Sequence, residues 1–191
     1  MNKLSLNINE KLGIQPELRT HLQTLGGVGI PFATPVNAVA SALTTALAGD
    51  NNDLVITAVT RGVAGDAITI RYVNPAANNA ALSVTVAGMA ITVNLATDGA
   101  GAITTIASGI TAELAATPAA AALVTAANAG GNNGTGVVTA MAATPLAGGV
   151  NGTPGVRGAV CCDANRIYIC IANNTISGAN WRRIPVAVEA F

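Results

Sequence analysis

Between Ile68 and Leu95, three short runs alternate apolar and polar residues in the two-residue rhythm of β-strands. Leu54 to Thr60 reads as a strand, and Gly62 to Asp66 turns it. Ile68, Ile70 and Tyr72 then share one face of a second strand, with Thr69 and Arg71 on the other. Asn74-Pro75 breaks that run. Leu82, Val84 and Val86 alternate next, Ala87-Gly88 makes a short connection, and Ile91, Val93 and Leu95 alternate again, which predicts a hairpin. After Asp98-Gly99-Ala100-Gly101 the period lengthens: Ile103, Ile106, Ile110 and Leu114 fall on one face of a helix. Thr117-Pro118 reads as cap and first turn of another helix, running to about Asn128 and anchored by Leu123 and Val124. "GGNNGTG" at 130–136 is a loop, Val137 to Met141 a last strand, and "PLAGGVNGTPG" at 145–155 a linker.

The flanking regions are plainer. Leu4, Leu6 and Ile8 suggest a short strand, and Pro16 to Leu25 a helix that presents Leu18, Leu22 and Leu25 on one side before Gly26-Gly27 stops it. Val36 to Leu47 fits helix or strand, and its alanines favour helix. Beyond the linker, Ala159 to Cys162, Ile167 to Ala172 and Trp181 to Val186 are three short strands. The expected class is α+β and β-rich: an N-terminal assembly segment over 1–50, a central mixed domain over 51–150, and a small antiparallel β module over 156–191. Three strands with so little core are marginal alone, so the last module is expected to pack on something else.

Composition narrows the function. The chain has 191 residues with nine basic and nine acidic side chains, and its charged fraction of 9% is far below the usual ~25%. Net charge is zero, which leaves little repulsion between copies and none of the positive field that nucleic acid demands. No stretch of about 20 strongly apolar residues offers a membrane span. Asn7, Asn9 and Glu10 occupy the place of a signal peptide's apolar stretch, which predicts synthesis and assembly in a cytoplasm.

Each candidate for chemistry has a plainer explanation. Cys161 and Cys162 are neighbours on a strand, so their side chains diverge; a metal would need Cys170 and more, and His21 is the sole histidine. Small buried residues are the better reading, with His21 facing solvent on its helix. Asp50-Asn51-Asn52-Asp53 lacks the glycine and terminal glutamate of a calcium loop and fits a turn. "GGNNGTG" lacks the lysine of a phosphate loop and follows a helix instead of a strand. No carboxylate pair stands out for acid–base work. Trp181-Arg182-Arg183 places the two arginines on opposite sides of a strand, one able to stack or pair and the other facing away. Tyr168 and Trp181 are interface anchors if exposed and the centre of the module if buried.

The stretches "NNDLVITAVTRGVAGDAITIRYVNP", "ALSVTVAGMAITVNLATDGAGAIT" and "ALVTAANAGGNNGTGVVTAMAATPLAGGV" resemble a module found in structural proteins of tailed bacteriophages, as does "TPVNAVA" at 34–40. "VRGAVCCDANRIYICIANNTISGANWRR" is similar to a short C-terminal element of phage virion proteins, with a glycine near its start, a "YICIA" strand and a "WRR" strand. Together these cover about three quarters of the chain. The resemblance marks Tyr168, Cys170, Trp181, Arg182 and Arg183 as its signature and supplies no catalytic residue; at Cys161-Cys162 this sequence departs from the usual non-cysteine residues. It implies a virion part, in head decoration, fibres or tails.

The combined expectation is a non-enzymatic protein of the virion that decorates or stabilises the outer surface of the capsid. The alternatives are a tail or tail-fibre component and, as an enzyme, a virion-associated glycan hydrolase. Leu18, Leu22 and Leu25 would take the shell contact. The expected partners are the major capsid protein of the same phage and further copies of this chain, a trimer suiting three-fold positions of a shell. No cofactor, metal, nucleic acid or membrane is expected.

Overall fold

The computed structural model describes residues 33–163 and 166–185. They belong to two compact units. The larger comprises 37–152 with 176–179, and the smaller holds the described residues of 33–36, 153–175 and 180–185. The class is α+β, with a mixed central region and a separate antiparallel sheet formed by the last three strands.

The larger unit is built on two sheets. In the first, β1 (Ala42–Thr44), β2 (Leu54–Ala58) and β6 (Val124–Asn128) lie in the order β1-β2-β6, all antiparallel. In the second, the order is β4-β5-β3-β7, from β3 (Thr69–Val73), β4 (Ser83–Ala87), β5 (Ala90–Asn94) and β7 (Met141–Pro145). β4 and β5 form the expected hairpin. Its two-residue loop is Gly88-Met89, and Gly88 has φ +60°, which fits a type II′ turn with glycine in first place. β5 then returns between β4 and β3 and runs parallel to β3. A 3₁₀ turn, Val63–Ala67, links β2 to β3.

The alternation anticipated from sequence becomes burial. Leu54 and Ile56 of β2, Ile70 and Tyr72 of β3, and Ile91 and Val93 of β5 are all buried in one core. Helix α1 (Ala107–Ala116) adds Ala107, Ile110 and Leu114, and the single turn α2 (Pro118–Ala121) adds Ala120. The outward side of the second sheet is polar: Arg71 Nε donates to Thr92 Oγ1 across β3 and β5 at 2.8 Å.

Four expectations are corrected here. Val36 to Leu47 is extended instead of helical, because Ala42–Thr44 pairs with β2 and Val39 bridges Val150. Buried Thr45 also bonds locally, its hydroxyl donating to Asp53 and receiving the Leu54 N–H. The helix expected to begin near Ile103 starts at Ala107, since Ile103 bridges Thr97, and Ile106 is an extended cap residue bridging Val137. The helix expected from 118 to about 128 ends at Ala121, and Val124–Asn128 takes the free edge of β2 as β6; pairing outweighs the helical preference of alanine. The last strand runs from Met141 to Pro145, not from Val137 to Met141.

The stretch expected as a linker is part of the fold up to residue 152. Leu146 is buried, Ala147 exchanges backbone bonds with Ala42, and Val150 does so with Val39. Gly149 donates its N–H to Asp66 Oδ1 at 3.0 Å, in a space too tight for a Cβ against the Ser41 hydroxyl. Residues 37–50, assigned from sequence to the N-terminal segment, lie in the larger unit.

Candidate functional site

The smaller unit carries the residues singled out from sequence. β8 (Val160–Cys162), β9 (Arg166–Cys170) and β10 (Trp181–Pro185) form an antiparallel sheet in the order β10-β9-β8. The register sets Cys161 opposite Tyr168 and Cys170 opposite Trp181. Strand alternation therefore gathers these four side chains on one face, where they form a buried cluster with Ala159 against it.

A polar clasp closes that cluster. Trp181 Nε1 donates to the Thr153 carbonyl at 2.7 Å, and Asn174 Nδ2 donates to the same oxygen at 2.7 Å. Asn174 Oδ1 accepts the Asn180 N–H, and Gly155 and Asn174 exchange backbone bonds in both directions. Gly155 lies close against the indole: a Cβ there would sit 2.6 Å from Trp181 Cζ2 and 3.3 Å from Cys170 Sγ. Tyr168 Oη donates to Asp163 Oδ2 at 2.6 Å, a carboxylate that also receives the Thr34 hydroxyl at 3.4 Å. Ala33 N donates to the Cys162 carbonyl, which fastens the start of the described chain alongside β8.

All three cysteines are buried and unbridged. Burial pushes the Cys161 thiol up, and Cys162, Asp163 and Cys170 nearby push it the same way. Burial and then Asp163 raise the Cys162 thiol. Raised thiols are poor nucleophiles and poor metal ligands at neutral pH. Cys161 and Cys170 share the inner face while Cys162 points to the other, and Cys170 Sγ donates to the Ala172 carbonyl at 2.9 Å. Among the described residues, no group of three or more His, Cys, Asp or Glu is placed to hold a metal ion, and no helix is long and apolar enough to cross a membrane.

The opposite face of this sheet is different. Val160, Ile167 and Ile169 are half-buried, and Ile184 is 48% exposed. Arg182 stands opposite Ile169 on this side, and Arg183 stands opposite Tyr168 on the other. Both arginines are exposed, and Arg182 Nη1 donates to the Trp181 carbonyl at 3.2 Å. The signature thus divides in the fold: Tyr168, Cys170 and Trp181 lie in the buried cluster, and Arg182 and Arg183 are exposed on opposite faces of the sheet. Leu18, Leu22, Leu25 and His21 lie outside the described residues.

The aspartates Asp53, Asp66 and Asp98 of the larger unit fasten loops and turns, while Glu113 lies within α1. Asp53 Oδ1 accepts the Leu47 N–H at 2.8 Å and the Thr45 hydroxyl at 3.1 Å. Asp98 Oδ1 accepts the N–H groups of Ala102 and Ala100, which hold its carboxyl below the usual range. The Ser41 hydroxyl and then the Gly149 N–H do the same for Asp66. Asn52, read from sequence as part of a turn, and Asn174, given no role there, are buried asparagines that donate to backbone carbonyls; both sit in "NN" pairs. In comparisons with protein-family models, curated proteins and solved structures, nothing matches this chain.

Proposed function

We propose that this chain is a non-enzymatic structural part of a tailed-bacteriophage particle, decorating or stabilising the outer surface of the head. The observation that carries this reading is the division of labour in the C-terminal sheet. Of the residues the phage resemblance marks, Tyr168, Cys170 and Trp181 lie in that sheet's small core, and the sheet's other face carries Ile167, Ile169, Ile184 and Arg182. An apolar face with one guanidinium at its edge is a protein-contact chemistry. A protein repeated over a symmetric shell needs only modest affinity per contact, because many contacts act together. The partners on this reading are the major capsid protein and further copies of the chain.

The test is to mix the purified protein with undecorated heads of the parent phage and image them by cryo-electron microscopy. Symmetric density on the shell is the expected result. Bare heads, with the protein found on tails in native particles, would overturn head decoration and favour a tail component.

A further inference from the structure

We propose that the edge strand β4 pairs antiparallel with β4 of a second copy of this chain, joining the two four-stranded sheets across a two-fold axis at Thr85. The larger unit and the C-terminal sheet have several strand edges, and most are blocked. β7 has a register irregularity and ends in Pro145. β10 carries Arg182, Arg183 and Pro185. β8 is three residues long and has Ala33 beside it. β1 is bridged by Ala147. Prolines, charges, bulges and covers are the usual protections against edge-to-edge pairing. β4, with the sequence Ser-Val-Thr-Val-Ala, has no proline, charge or bulge; α1 and α2 pack near it, but among the described residues no backbone hydrogen bond reaches its outer edge.

Register decides which groups that edge offers. The two-residue turn closes on the pair Ala87 and Ala90, so Ala87, Thr85 and Ser83 point their backbone groups at β5. The Leu95 N–H bonding to Val73 agrees, because it turns the intervening residues of β5 toward β3. Val84 and Val86 therefore present their N–H and C=O groups outward. The strand also reads nearly the same in both directions about Thr85. Antiparallel self-pairing sets Val84 against Val86 of the other copy, where each pair exchanges two backbone bonds, and Thr85 against Thr85. The valines stay on the core-facing side, where they are only half-buried in one copy, and the threonines stay on the solvent side. β6 is also uncharged but does not fit itself: the same operation about Ala126 sets Val124 against Asn128. An isologous contact of this kind closes at two copies. It stands on the strand alone, so its failure leaves the head-binding test unaffected.

Sedimentation velocity over a concentration series reads the association, with three variants. Thr85 is exposed, so Thr85→Lys changes neither core nor hairpin but sets two ammonium groups face to face at the axis. The expected results are a wild-type dimer, at least tenfold weaker association for Thr85→Lys and for Thr85→Glu, and recovery when the two are mixed. Val86→Pro removes an outward N–H and has the same expected effect. A wild-type chain that stays monomeric, or any oligomer that all three variants leave unchanged, overturns the proposal.

Discussion

The larger unit buries sixteen apolar residues in one cluster drawn from two sheets and their helices, while the C-terminal sheet's cluster has four, secured by side-chain hydrogen bonds. In the first, no single residue is decisive: Ile56, Ile70, Ile91 and Leu114 support one another, and the polar groups mostly shape turns. In the second, one indole contacts Gly155, lies opposite Cys170 and donates to Thr153, so the loss of one side chain removes much of what holds the sheet. A core shared among many residues tolerates loss, and a core built on one or two large rings does not. The difference also bears on function. A small unit with little core of its own gains stability on binding a partner, which suits a contact module.

That contrast can be broken first at Trp181. Trp181→Ala is expected to remove about 3–5 kcal/mol, the usual cost of deleting a buried tryptophan, from a sheet with only four clustered side chains. Hydrogen exchange should show β9 peptides losing protection while Leu54–Ala58 keeps it. Ile56→Ala in the larger unit costs about 2–5 kcal/mol, yet that unit should remain folded in water with a lower urea midpoint. Tyr168→Phe keeps the ring and deletes the bond to Asp163, lowering C-terminal stability by about 1 kcal/mol in urea melts read by tryptophan fluorescence.

The pH response sharpens the same contrast. Cys161 and Cys162 are raised in the folded chain, so above the unfolded thiol value of about 8.5 the unfolded chain releases protons that the folded one retains. Stability of the C-terminal sheet should therefore fall as pH rises past that point. Asp66 and Asp98 are lowered, so their contribution is present above about 3.9 and is lost as pH falls through their folded values. The larger unit should weaken on the acid side, as followed by exchange in its peptides. The smallest effect belongs to Arg182→Ala and Arg183→Ala, each within about 0.5 kcal/mol of wild type in urea melts because both side chains are exposed.

Much of this was legible in the sequence, for identifiable reasons. β3, β4 and β5 were legible because alternation in Ile68 to Leu95 has a sharp period and its turn has the glycine that the geometry requires. The three C-terminal strands and the turn at Asp50-Asn51-Asn52-Asp53 were legible for similar reasons. β1 and β6 were not, because both are alanine- and threonine-rich and gain strand structure only from pairing with β2. At the site, the aromatic and cysteine positions were visible, but the sharing of one face by Cys161, Tyr168, Cys170 and Trp181 depends on a register that no local pattern encodes. The roles of Gly155, Thr153 and Asn174 are long-range in the same way.

The most direct test of this two-core account uses Trp181 as the chain's single tryptophan and hence a reporter of the C-terminal sheet alone. Urea is titrated while tryptophan fluorescence is recorded, and hydrogen exchange of the Leu54–Ala58 and Ala90–Asn94 peptides is followed at the same concentrations. The account predicts that the fluorescence transition comes at lower urea than loss of protection in those strands. A single coincident transition, with one midpoint and one slope for both probes, would contradict it.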